Sequence, residues 1–178
     1  PLKGDLILAA VAGEISRTPI GPYQSGSYRG EGTGTRHLLT HGVQSDYAIV
    51  ADRSGLSIVW AQNGVAQFKI DTFGNPHAAW GVPREKEPPE EMSAILKMIK
   101  VVQAIDAWAE DFEKDHIYKS ANGPVIPKVN IGSIQGGAPY RPNYYPGVCS
   151  LYVDVRTPPG LRPLEVKHEL KNVLAKTG

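Results

Sequence analysis

A partial parallel-sheet α/β domain over residues 1–62, followed by an α+β domain of the split βαβ type over residues 63–178, is the fold the sequence predicts. Three observations carry it. An unbroken apolar run over residues 6–12 has the character of a strand buried on both faces, as parallel sheets covered by helices require. From Val65 the pattern changes to alternation, the mark of a half-exposed antiparallel strand. Two amphipathic helical stretches then bracket two more strand-like segments, giving the order β-α-β-β-α, a ferredoxin-like unit without its last strand.

The elements follow in order. "DLILAAVA" reads as a central strand of an α/β layer. After the glycine-rich stretch "GPYQSGSYRGEGTG" comes "TRHLLTHGVQ", a short helix stopped by Gly42. "SDYAIVADRSG" reads as a second apolar strand ending in a polar turn, which completes a β-loop-α-β grammar. In "VAQFKIDTF", Ala66, Phe68 and Ile70 point one way and Gln67, Lys69 and Asp71 the other. "PPEEMSAILKMIKVVQAIDAWAEDFEK" opens with prolines and acidic residues suited to a helix N-terminus. It repeats apolar groups at Met92, Ile95, Ile99, Val102, Ile105 and Phe112. "PKVNIGSIQGG" and "VCSLYVDVR" are the remaining strands, and "RPLEVKHELKNVLAK" is the second helix, with Leu164, Val166, Leu170 and Leu174 on one stripe.

Composition narrows the function classes. The 178 residues are 41% hydrophobic and 21% charged, ordinary for a globular chain with one full core or two small ones. Nineteen Lys and Arg stand against eighteen Asp and Glu with no long basic run, so neither a nucleic-acid nor an anionic-membrane footprint is present. The single cysteine, Cys149, is in phase with Leu151 and Val153 and reads as a buried thiol, which excludes a disulfide framework. The longest apolar run is far below the roughly 20 residues of a membrane span, and Asp5 spoils it as a signal core. The chain opens on Pro1 without an initiating methionine, which suggests a piece of a longer protein; the compartment stays open, with the cytoplasm as the default expectation.

Several side chains have the right setting for chemistry. Glu14 follows the end of the first strand, and in open α/β sheets ligands and catalytic groups collect at that edge. A carboxylate there serves as general base or metal ligand, or is simply a solvated loop acid. Asp52 sits likewise at the end of the second strand. His77, in "DTFGNPHAAWG", is held in a rigid turn where an imidazole either stabilises an oxyanion or bonds a loop. His37 and His41 have the four-residue spacing of a zinc-protease helix, but Leu38 stands where the general-base glutamate belongs, so they read as surface residues. His116 and His168 lie among charged residues and carry no signal. "IQGGAPYRPNYYPG" puts Asn143 and Pro146 in a loop, and Arg156 on the last strand is able to grip a carboxylate bidentately or to pair with Asp154. The glycines form no phosphate-cradling motif.

"GDLILAAVAGE", "SDYAIVADRSGL", "GNPHAAWG", the helix beginning near "SAILKM", "IGSIQGG", Asn143-x-x-Pro146 and Arg156 resemble, in this order, the zinc-dependent amidohydrolase and exopeptidase family of acetylornithine deacetylase, succinyl-diaminopimelate desuccinylase and glutamate carboxypeptidase. The resemblance implies that residues 1–62 are part of a catalytic domain and residues 63–178 a dimerisation lid. It implies two zinc ions in the intact protein and a homodimer formed through the lid. Glu14 is then the base that deprotonates a zinc-bound water, and Ile15 stands in place of the metal-binding glutamate; a one-residue slip makes Glu14 the metal ligand instead. Asp52 matches a metal ligand. His77 matches the histidine that one subunit's lid lends to the other's active site to hold the oxyanion. Asn143 and Arg156 match substrate-binding positions. The other zinc ligands of the family lie upstream and downstream of this span.

The resulting expectation is part of a di-zinc hydrolase of N-acyl amino acids or small peptides, inactive by itself. The rival is a non-catalytic dimerisation or ligand-binding module on the same fold, for which Ile15 is the argument.

Overall fold

The computed structural model describes residues 3–14, 30, 32–52 and 54–177, so Ile15 and most of the glycine-rich stretch lie outside the described residues. The chain divides into two compact units, Pro1–Leu56 and Ser57–Gly178.

In the first unit the expected helix forms as α1, Thr33–Thr40. Its start is stitched to the segment before Glu14: Gly32 N and Thr33 N donate to the Gly13 carbonyl at 3.1 and 3.2 Å, and Gly34 N to the Ala12 carbonyl at 3.0 Å. Gly34 has to be glycine, because a Cβ would run into the backbone of Ala12 and the side chain of Val11. Gly42 follows the helix with φ of 87°.

The two parallel strands expected over residues 5–12 and 45–55 do not form among the described residues. Leu8 is 94% exposed and Ile49 98%. A strand exists only against a neighbour that takes up its backbone hydrogen bonds. An apolar run states what a segment is able to bury, and no described strand pairs with these two.

The second unit carries the antiparallel sheet. β1 (Gly64–Phe73), β4 (Lys128–Gly136) and β5 (Val148–Thr157) lie in the order β1-β5-β4, every pair antiparallel. The bulge between Ile131 and Ser133 keeps Ile134 in phase with Leu151 despite the extra residue. Cys149, Leu151, Val153 and Val155 of β5 face α3 (Ala94–Asp115) and α4 (Pro163–Leu174), and with Met98, Ile105, Phe112, Val166 and Leu170 they form the core. Cys149 is the buried thiol expected. The polar residues of β1 and β5 occupy the opposite face, where Lys69, Asp71 and Ser150 form a hydrogen-bonded row.

Three features depart from expectation. The helix expected from the double proline onward is two helices, α2 (Pro89–Met92) and α3, separated at Ser93, whose backbone is extended. Ser93 then caps α3 by accepting Leu96 N, while Ala94 N donates to the Pro146 carbonyl at 3.1 Å. The face that α3 buries is Ala94, Met98, Val101, Ile105 and Phe112, so Ile95 and Ile99 remain exposed. A hairpin, β2 (Tyr118–Ser120) with β3 (Gly123–Val125), was not expected, although Asn122-Gly123 is a strong hairpin-turn signal.

Candidate functional site

The loop after β1 and the loop before β5 are laced into one surface at the same end of the sheet. Gly74 N donates to the Gly147 carbonyl, Tyr145 N to the His77 carbonyl and Ala79 N to the Asn143 carbonyl, each at 2.9 Å. Asn75 N donates to the Met92 carbonyl at 2.8 Å, which closes the loop of residues 75–92 at its base. Gly74 is the crossing point. A Cβ there would press on the carbonyls of Met92 and Pro146 and on Ala94 N, so only glycine allows the loops to meet. Edge contacts finish the surface: Trp80 meets Tyr144 at 5.9 Å between ring centroids, and the Arg141 guanidinium lies 4.9 Å from the Tyr144 ring.

His77 is presented on that surface with both ring nitrogens engaged. Nδ1 lies 3.0 Å from the Asn75 carbonyl and Nε2 lies 2.8 Å from Glu87 Oε2. The Tyr145 ring packs beside it at 5.2 Å. The hydrogen bond to Glu87, reinforced by the Asn75 carbonyl, raises the imidazole pKa above its ordinary value against the opposing effect of desolvation. Sequence reasoning missed Glu87. It lies ten residues away in a charged run, and no local pattern ties it to the histidine.

Asn143 is exposed, and its backbone carbonyl, not its side chain, is the part seen to join the loops. Arg156 is at the other end of β5, where Val65 is its neighbour across the strand pair. At about 3.4 Å per residue it is roughly 25 Å from the His77 end. Its Nε donates to Asp154 Oδ1 at 2.7 Å, the local pairing that the sequence left open as one alternative. It also lines an open cleft of about 620 Å³ with residues 61–63 and 124–126. In that cleft Asn63 Nδ2 bonds the Ile126 carbonyl, and its Oδ1 is buried without a partner among the described residues.

In the first unit, Glu14 is exposed beside the stitched start of α1, and Asp52 is exposed outside any helix or strand. His37 and His41 stack at 3.8 Å on the open face of α1. Among the described residues no group of three or more histidine, cysteine, aspartate or glutamate side chains is arranged to hold a metal ion. No described helix is long and apolar enough to cross a membrane.

Comparison with known proteins places this architecture. The family model described as the peptidase dimerisation domain matches residues 84–178. A putative amidohydrolase/peptidase from Burkholderia cenocepacia aligns over 86% of this chain and 38% of its own, with a TM-score of 0.50 and 16% identity, a likeness of fold. An amidase of the hydantoinase/carbamoylase family from Burkholderia multivorans aligns over 66% of this chain at 20% identity and a TM-score of 0.46. A metallo-carboxypeptidase from Sulfolobus solfataricus does so over 66% at 14% and 0.44. The chain spans only 25%, 38% and 36% of the amidase, the amidohydrolase/peptidase and the carboxypeptidase respectively. With more than half of its residues covered by the family model, and with the antiparallel sheet and paired helices described above, this chain belongs to the peptidase dimerisation domain family.

Proposed function

We propose that the chain is the lid-bearing part of a two-subunit hydrolase that cleaves amide bonds of N-acyl amino acids or small peptides. In this reading residues 1–62 belong to a larger parallel-sheet catalytic domain, and residues 63–178 are the lid through which two copies join. The observation that carries it is the outer edge of β4. Ile134 on that strand is 53% exposed, and Ile95 and Ile99 of the adjoining α3 are 38% and 46% exposed. A sheet edge with open backbone groups beside apolar side chains is a surface that needs covering, and a second copy offers the same edge in return. The other edge, β1, is where the last strand of the split βαβ unit belongs in the same reading.

The residue roles follow from the pairing. His77 is lent to the neighbouring subunit's site as an oxyanion donor, and Asn143, at the same end of the sheet, and Arg156, at the other end, hold the substrate from the two different lids. Support comes from their separation: a small substrate is unable to touch both ends of one sheet, so a site using His77 and Arg156 together draws them from two lids. Arg156 in its cleft suits a carboxylate, which an N-acyl amino acid carries. Glu14 is the proton-transferring base and Asp52 a metal ligand. Two zinc ions belong to the reading of the intact enzyme; the described residues do not assemble a donor set for them. The chain's own contributions are therefore proton transfer, carboxylate recognition and oxyanion contact. A cytoplasmic setting is part of the same reading.

The test is the self-association of edge variants. Ile134→Asp and Ile99→Glu are expected to shift the chain toward monomer in sedimentation velocity while leaving its circular dichroism unchanged. Unaltered association in both would overturn the assignment of that edge. A second reading, a non-catalytic module, is favoured by Ile15 alone. Metal analysis of the longer protein separates the two, with about two zinc ions per chain for an enzyme and near none for the module.

A further inference from the structure

We propose that Glu87 is the positioning residue of His77, holding its ring as a cation with Nε2–H on the outward side of the loop. The inference rests on the oxyanion role assigned to His77 above, and it is argued from the bonds on the ring. A backbone carbonyl accepts and never donates, so the nitrogen facing the Asn75 carbonyl at 3.0 Å carries a proton. An ionised carboxylate likewise only accepts, so the nitrogen 2.8 Å from Glu87 Oε2 carries one too. Two acceptors on two nitrogens require the imidazolium form. Of the two protons, the one on Nδ1 is committed to the histidine's own loop, and the one on Nε2 is held by a side chain that is 28% exposed to solvent.

The fold fixes Glu87 in this place. Lys86 N and Glu87 N donate to the Pro83 carbonyl at 3.0 and 3.3 Å, which curls the chain into a turn. Pro88 and the buried Pro89 then start α2, and the loop is closed by Asn75 N on the Met92 carbonyl at 2.8 Å. His77 and Glu87 therefore sit near the two ends of one closed loop. Their side chains, 33% and 28% exposed, face each other at its mouth. The other ring in contact with His77 is Tyr145, packed at 5.2 Å.

The consequence for chemistry is specific. A neutral histidine donating from Nε2 is a weak oxyanion partner, and a cationic one adds charge to the hydrogen bond. Glu87 keeps the ring charged until a substrate oxyanion takes its place on Nε2–H. The carboxylate is thus a placeholder that an incoming anion has to displace.

The experiment is proton and nitrogen NMR of the imidazole rings in the 178-residue chain, titrated with pH. Wild-type His77 is expected to titrate with a midpoint above the ordinary imidazole value, as the Glu87 and Asn75 hydrogen bonds require. Glu87→Gln is expected to lower the His77 midpoint and leave the other histidines unmoved. Glu87→Asp retains part of the effect, and Glu90→Gln, on the same loop, leaves it unchanged. Backbone amide spectra check that each variant keeps its fold. A His77 midpoint identical in wild type and Glu87→Gln, or one at or below the ordinary imidazole value in wild type, would overturn the proposal. The role of His77 itself is read separately, from loss of activity on His77→Asn in the longer enzyme. Full activity in that variant, together with the Glu87-dependent shift of His77 in the chain that retains it, would remove the oxyanion role and leave the pair standing.

Discussion

Gly74 decides more of the candidate site than any charged group, since the end of β1, the start of α3 and the loop before β5 converge where its side chain would be. Gly74→Ala is expected to cost about 1–3 kcal/mol in urea denaturation and to loosen the His77 loop; an unchanged midpoint would contradict the convergence. Cys149 shows the opposite case, a residue type famous for reactivity made inert by its place. It is 1% exposed, and burial, with the nearby Asp71 carboxylate, pushes its thiol pKa up. A thiol reagent is expected to leave it untouched in the native chain and to label it fully in denaturant. Glu113 carries a pH signature. Burial pushes its carboxyl up, but Lys128 at 2.7 Å and the Val129 amide at 3.0 Å outweigh that and hold it below the ordinary value. A depressed folded-state pKa gives stability that is present above the ordinary carboxylate range and lost as pH falls through the lower, folded value. The stability gap between wild type and Glu113→Gln, about 1 kcal/mol at neutral pH, should therefore close as pH falls below the ordinary carboxylate range. At this scale His77 was legible because its turn of glycines and proline is a pattern along the chain. Glu87 was not, because the loop closure that brings it to the ring is invisible to local spacing.

Elements were legible where the apolar period was strong. β1, β4, β5 and α4 form where alternation or helical spacing put them, and the lone cysteine's phase gave the buried face of β5. α3 was legible in extent but not in orientation, because it carries two apolar stripes. Met98 and Val101 face the sheet, and Ile95 and Ile99 do not. Periodicity alone does not rank two stripes; the packing of α4 and β5 does. Two substitutions test this orientation by chemical denaturation. Ile105→Ala, at a fully buried position, is expected to cost about 2–5 kcal/mol. Ser93→Ala is expected to cost about 1 kcal/mol through the lost cap on Leu96 N. The break at Ser93 escaped sequence reading because a tertiary bond, Ala94 N to the Pro146 carbonyl, replaces the helical one.

At the scale of the second unit, the antiparallel sheet and two covering helices are the expected architecture, and the family membership agrees with it. The parallel strands expected in the first unit do not form among the described residues, for a physical reason. Apolar runs such as residues 6–12 report a demand for burial, and satisfying that demand takes neighbouring strands that no described residue supplies. The site proposed above, drawn from both ends of the sheet, has the same property: in that reading it is complete only when a second chain is present. Light scattering coupled to size exclusion at micromolar concentration therefore tests the account most directly. The account predicts a mass of twice the chain's 19.3 kDa. A single species at the mass of one chain would contradict it.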